Sequence, residues 1–263
     1  MSSHPEVLLE VQGVTVSFDG FKALQNLSLS VPRGSLRVLI GPNGAGKSTL
    51  LDTIIGKVRP VSGDVRYRGQ SIITWPEHRI ANLGICRKFQ APGVLDGLSV
   101  RENLRVAAKR TKGVWASLTR TTGRAETQRI AELLELINLT GKADQRADSL
   151  AHGEKQWLEI GMVVASDPEL LLLDEPTAGM TAQETAKTAE LIRSLSGRHT
   201  VLVIDHDMQF VELLDAPVTV LHQGQVFCEG DLASLRSNAD VMEIYLGRPK
   251  DEGHHKGVGY AQT

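Results

Sequence analysis

The sequence predicts an α/β fold: a core entered by an antiparallel sheet and interrupted by a helical insertion. Three stretches carry that prediction. Residues 41–49 read GPNGAGKST and satisfy the pattern G-x-x-x-x-G-K-[ST], with an apolar strand before it and a helix after it. Residues 170–176 read LLLLDEP, an apolar strand delivering two carboxylates to its carboxyl end. From about residue 91 to 157 the chain turns helical in its apolar spacing, around one weakly periodic stretch at 110–124.

In chain order, residues 8–16 and 24–31 read as strands. The second alternates Leu27, Leu29 and Val31 with Ser28 and Ser30, as a half-exposed antiparallel edge should. Residues 36–40 form the buried strand before the glycine loop, and 47–55 a helix stopped by Gly56. Another strand is expected at 64–67, after the turn Ser62-Gly63. Helices follow at 100–109, 126–139 and 153–165, with 110–124 basic, rich in Thr and Gly, and read as a solvated loop. The α/β pattern returns with strand 170–174, helix 183–195 closed by Gly197, strand 200–204, and a hairpin of 218–221 with 225–228. This divides the chain into a core with its antiparallel sheet (1–90 and 158–230), a helical subdomain (91–157), a C-terminal helical segment (231–249) and a flexible tail (250–263). His254 and His255 in the tail have no companions at metal-ligand spacing.

Bulk properties narrow the function. A chain of 263 residues with 41% hydrophobic content can bury a sizeable core. A net charge of −2 gives no general pull toward nucleic acid, so a nucleic-acid partner is not expected. Cys86 and Cys228 are far apart in sequence, which points away from a disulfide framework and toward a reducing compartment. The N-terminal MSSHPEVLLE has neither a basic start nor an apolar run, and no stretch reaches membrane-spanning length. A role at a membrane would therefore come from docking onto other subunits.

The loop chemistry points to nucleotide phosphate. Gly41, Gly44 and Gly46 lack Cβ atoms, so the backbone through Pro42, Asn43 and Ala45 can turn sharply and aim N–H groups at phosphate oxygens. The helix start at Lys47, Ser48 and Thr49 adds partial positive charge. Lys47 is expected to reach the β- and γ-phosphates of ATP and Ser48 to ligate Mg²⁺. Asp174 would join the Mg²⁺ shell, and Glu175 would orient or deprotonate the attacking water.

These motifs together resemble the ATP-binding cassette (ABC) family, whose fold is a P-loop NTPase nucleotide-binding domain with an antiparallel β subdomain and an inserted α-helical subdomain. The resemblance implies roles for further residues. Phe18, with Phe21 as rival, falls where the family stacks an aromatic ring on adenine. Gln90, in RKFQ, matches the glutamine loop that senses γ-phosphate and Mg²⁺. Leu150, Ala151, His152, Gly153 and Glu154 occupy the place of the signature LSGGQ. Residues 178–181 match the dimer-facing D-loop, and His206 in IDHDM matches the switch histidine. In this family each ATP lies between one cassette's phosphate loop and the other's signature, so a second cassette, identical or related, is implied.

The departures have consequences. Ala151 lacks the signature hydroxyl expected to bond γ-phosphate in trans, a loss of about 1.5–3 kcal/mol for a hydrogen bond to a charged group. His152, Glu154 and Thr181 also differ from the family pattern, so the site built on this signature is expected to be the weaker of the pair.

Within the family, RKFQ, the signature followed by QWLEIGM, DEPTAGMT, and the closing YLG at residues 245–247 resemble ATPases of the branched-chain amino acid and urea importer group, most of all the urea branch. That resemblance implies two permeases, a substrate-binding protein and a peripheral place on the cytoplasmic face of the membrane. The sequence reading puts urea or short amides first as solute and branched-chain amino acids second. A regulatory subunit whose partner does the catalysis is the third alternative, and a soluble cassette acting on nucleic acid is disfavoured because the chain has neither a second cassette nor a long insertion.

Overall fold

The computed structural model describes residues 6–87, 93–109 and 122–246. Strands β1 (Val7–Phe18) and β2 (Phe21–Pro32) form a long antiparallel hairpin, and β2 alternates buried and exposed residues as an edge strand does. With β4 (Ser62–Tyr67) and β5 (Gln70–Ser71) they make a four-stranded sheet in the order β2-β1-β4-β5.

Between them, β3 (Leu36–Ile40) leads through the glycine loop into α1 (Lys47–Ile54), whose chain direction is broken at Gly56. After β5 come α2 (Glu77–Asn82) and β6 (Ile85–Arg87), then the helices α3 (Val100–Lys109), α4 (Thr122–Leu136) and α5 (His152–Ala165). β7 (Leu170–Asp174), α6 (Ala182–Leu195), β8 (Thr200–Ile204), α7 (Met208–Leu214) and the hairpin β9 (Val218–His222) with β10 (Gln225–Gly230) complete the core. α8 (Leu232–Ser237) and α9 (Ala239–Leu246) follow.

The second sheet has the order β10-β9-β3-β8-β7-β6, parallel except for β10. Its central strands β7 and β8 are apolar on both faces because both are covered. Val38, Ile40, Leu171, Leu173, Val201 and Val203 join the core shared with α3, α4, α5 and α6. Leu39, Leu170, Leu172, Leu202 and Ile204 point the other way, into a core with β1, β2 and α1. Period-two alternation thus glues the helical layer to one face and the antiparallel sheet to the other.

Several elements differ from the sequence expectation. α4 begins at Thr122, inside the stretch read as a loop, and ends at Leu136 rather than 139, where Asn138 turns the chain with φ 61°. α5, by contrast, runs without a break from His152 to Ala165, matching the helix expected at 153–165. β5, α2, β6 and α7 were not anticipated. They have between two and seven residues each, too short for a periodic signal. Residues 110–121 and the tail from 247 lie outside the described residues.

Parallel pairing positions the site. The carboxyl ends of β3, β6, β7 and β8 all open on the same edge of the sheet, so the glycine loop, Arg87, Asp174 and the residues after Ile204 are brought together there.

Candidate nucleotide site

The glycine loop is shaped by what surrounds it. A Cβ at Gly41 would lie 2.3 Å from the carbonyl oxygen of Leu221, and one at Gly46 would lie 2.7 Å from that of Ala23, so a side chain at either position would displace backbone. Gly46 also has φ 102°, and it stands as N-cap of α1 with no side-chain acceptor. The first turn of α1 carries no acidic residue, which leaves its N–H groups and positive end open to an anion. Asn43, Gly44 and Ser48 are exposed, and among the described residues nothing lies within 4 Å of where a Gly44 Cβ would be.

Lys47 folds back over this loop: Nζ donates to the carbonyls of Gly41 at 2.7 Å and Pro42 at 3.0 Å. Burial pulls its pKa below the ordinary lysine value, against the opposing fields of Glu175 and Asp174, which place both carboxylates within electrostatic reach of the ammonium.

Asp174 ends β7 partly buried, and Glu175 follows it half-exposed. Glu175 has φ 45°, a left-handed conformation that costs a non-glycine residue about 1–3 kcal/mol. Its N–H donates to Ile204 O at 2.8 Å, and its own carbonyl accepts from Ala178 N at 3.2 Å, which hold the turn. His206 Nδ1 lies 3.3 Å from Glu175 Oε1. The structure thus brings Lys47, Asp174, Glu175 and His206 to one place.

The donor set fits a nucleotide with Mg²⁺. Open backbone N–H groups and an ammonium suit phosphate, while the Ser48 hydroxyl and the Asp174 and Glu175 carboxylates are hard oxygen donors suited to Mg²⁺. Among the described residues no group of three or more His, Cys, Asp or Glu side chains is placed to hold a metal alone. An ion here would complete its shell from phosphate and water.

The other sequence candidates are distributed differently. Phe18 and Phe21 face each other across the β1–β2 turn at 48% and 68% exposure, both free to stack, so the geometry does not separate the two. The turn leads into Ala23 and Leu24, which pack on Gly46. Leu150, Ala151, His152, Gly153 and Glu154 form a separate cluster at the start of α5. His152 Nε2 lies 3.1 Å from Ala178 O, a Gly153 Cβ would meet Glu184, and Glu154 accepts from Lys142 Nζ at 2.7 Å and Ala151 N at 3.1 Å. Signature and D-loop segments are therefore neighbours within one chain. Gln90 lies outside the described residues.

Two residues at this sheet edge escaped sequence reasoning. Asp205, 2% exposed, accepts from Thr177 Oγ1 at 2.8 Å and from the backbone N–H groups of His206 at 2.7 Å and Asp207 at 3.0 Å. It fixes the turn that presents His206. Arg87, on β6, donates to Asp52 Oδ1 at 2.6 Å and to Asp174 Oδ2 at 2.7 Å. Asp205 follows directly on the apolar strand 200–204, which was the signal available for it, whereas the strand that carries Arg87 is too short to show one.

Comparison with known proteins agrees with this geometry. Residues 24–178 match the family model described as ABC transporter. The branched-chain amino acid transport ATP-binding protein BraF of Pseudomonas aeruginosa is 36% identical over 249 residues, covering 91% of this chain and 98% of the relative. LivG of Escherichia coli K12 gives the same identity and coverage. LivG of Archaeoglobus fulgidus, a probable branched-chain amino acid transport ATP-binding protein, is 31% identical, covering 93% of this chain and 97% of its own length. Among solved structures, the ADP conformation of an ATP-binding cassette of an ABC transporter superposes with a TM-score of 0.79 at 28% identity, covering 92% of this chain and 99% of that one. A nucleotide-free ATP-binding cassette superposes with a TM-score of 0.77 at 28% identity and the same coverage. A phosphate loop, two carboxylates and a histidine gathered at one sheet edge, in a chain matched by this model over most of its length, place the protein in the ABC transporter family, as an ATP-binding subunit that hydrolyses ATP with Mg²⁺.

Proposed function

We propose that this chain powers a membrane importer, coupling ATP binding and hydrolysis to the uptake of branched-chain amino acids. The carrying observation is the convergence of Lys47, Asp174, Glu175 and His206 at the carboxyl ends of adjacent parallel strands. BraF and the LivG proteins, which align with nearly the whole chain, are named for branched-chain amino acid transport. They support branched-chain amino acids, the second solute the sequence suggests, over urea, the first. Urea remains the second reading, on the strength of the His152 signature and the QWLEIGM and AGMT stretches.

In this proposal the loop N–H groups and Lys47 hold the phosphates, with Gly41, Pro42, Asn43, Gly44, Ala45, Gly46, Ser48 and Thr49 as the cradle. Mg²⁺, when bound, neutralises charge that develops between the β- and γ-phosphates. Ser48, Asp174 and Gln90 would hold it. Glu175 accepts a proton from the attacking water, and His206 orients Glu175 and contacts the γ-phosphate. Phe18 stacks on adenine. Residues 150–154 serve the ATP of a second cassette, identical or related. Closure of that pair is transmitted through the helical subdomain, residues 91–157, to two permeases fed by a substrate-binding protein. No helix among the described residues is long and apolar enough to cross a membrane, which agrees with a peripheral subunit docked on permeases at the cytoplasmic face.

The test is labelled leucine and labelled urea uptake in source cells carrying Glu175→Gln. Loss of leucine uptake alone supports the proposal. Loss of urea uptake alone restores the urea reading, and unchanged uptake of both favours a regulatory subunit.

A further inference from the structure

We infer that Arg87 is a positioning residue that sets the metal-side carboxylate of this site, a role that rests on the nucleotide reading above. Arg87 is the last residue of β6, and its side chain is only 10% exposed. It spans two elements at once. Nη1 donates to Asp52 Oδ1 on α1 at 2.6 Å, and Nη2 donates to Asp174 Oδ2 at the end of β7 at 2.7 Å. Asp52 stands about one helical turn beyond Ser48 on the same helix. The guanidinium therefore fixes the spacing between the two protein groups proposed to serve Mg²⁺, the Ser48 hydroxyl and the Asp174 carboxylate.

The clamp also decides what Asp174 can do. With Oδ2 committed to Arg87, the carboxylate cannot rotate freely, and Oδ1 is the oxygen left for the ion or its water. A group that hydrogen-bonds a metal ligand sets that ligand's orientation and strength. Charge balance points the same way: Arg87 pairs with both Asp52 and Asp174, Lys57 lies 3.8 Å from Asp52 alone, and Lys47 faces Glu175 and Asp174.

Stability alone does not account for an arginine here. The facing strand residues Leu170 and Leu172 and the β6 residue Ile85 are buried and apolar, so an aliphatic side chain would suit the layer. Arg87 Nε is buried without a hydrogen-bond partner among the described residues, and an unsatisfied buried donor is a cost that packing would not select. The arginine is explained by its two terminal nitrogens.

The test measures ATP affinity of the purified full chain twice, in EDTA and in saturating Mg²⁺, for wild type, Lys47→Ala, Arg87→Met, Arg87→Lys and Asp52→Asn. The ratio of the two Kd values is the metal-dependent part of binding. Arg87→Met is expected to lower that ratio about tenfold or more while leaving the EDTA affinity unchanged. Arg87→Lys, which keeps the charge but not the two-armed span, and Asp52→Asn, which removes one arm, should shift the ratio in the same direction by less. The Asp52→Asn result decides the matter should Arg87→Met fail to fold. An unchanged ratio overturns the inference, as does an equal loss of affinity in both conditions, which a purely structural role would give. Wild-type binding that Lys47→Ala does not weaken would instead remove the site reading itself, and the inference with it.

Discussion

Glu175 and His206 come from two different strand ends, and their side chains meet with Oε1 and Nδ1 3.3 Å apart. Each is aimed by its backbone: Glu175 through a left-handed φ of 45° and a bond to Ile204 O, His206 through its N–H on Asp205 Oδ1. In the roles proposed for them, side chains placed this way act as a unit. Glu175→Gln should bind MgATP normally and lose hydrolysis by about 10²–10⁴-fold. His206→Ala should also lower turnover, and the double variant should cost less than the sum of the two. Steady-state hydrolysis beside nucleotide binding checks this.

Lys47 should report phosphate binding through its proton. Burial lowers its pKa from 10.5, so on the alkaline side of neutrality, below 10.5, part of the free protein holds it neutral. An arriving phosphate favours the ammonium, and ATP binding there should take up a proton. Calorimetry in two buffers of different ionisation enthalpy reads that uptake. Lys47→Ala should abolish it and weaken ATP binding by about 1.5–3 kcal/mol, the range for a charged hydrogen bond.

Asp205 should matter for stability as well as turnover. Asp205→Ala strands Thr177 Oγ1 and two backbone N–H groups, and should destabilise the fold by about 1–3 kcal/mol with a fall in hydrolysis. Denaturant unfolding measures the first, and the turnover assay the second.

Glu169 ties the two sheets together: it accepts from Tyr67 Oη at 2.8 Å, from Arg68 Nε at 2.6 Å, and from Arg33. Burial by itself would raise its pKa, but the bonds from Arg68, Tyr67 and Arg33 outweigh it and hold the pKa below 4.5. A carboxylate depressed on folding stabilises above its unfolded pKa, and that contribution is lost as pH falls through the folded value. Glu169→Gln should therefore lower Tm at neutral pH, with the gap to wild type closing in acid below 4.5.

Ala151 is the N-cap of α5 yet offers no side-chain acceptor; only Glu154, bonding back to Ala151 N, completes half of a cap. Ala151→Ser should add about 1 kcal/mol by supplying the missing acceptor. Thermal unfolding would show it as a raised Tm.

The sequence determined the residue types of the proposed site and most of the scaffold. Gly41, Gly46 and Lys47 are legible because the loop needs those residue types at fixed spacing, and Asp174 and Glu175 because an apolar strand delivers them. Strands 36–40, 170–174 and 200–204 and helix 100–109 fall where periodicity placed them, since buried elements impose it. Tertiary structure alone decided who meets whom. Arg87 sits in a three-residue strand with no pattern to read, and its partners Asp52 and Asp174 lie 35 and 87 positions away. The pairing of His206 with Glu175, and of His152 with Ala178, likewise follows from parallel strand order and helix placement. Local sequence fixes which side chains are present and the element that carries them. Long-range pairing, set by burial on both faces of one sheet, fixes which of them share a site.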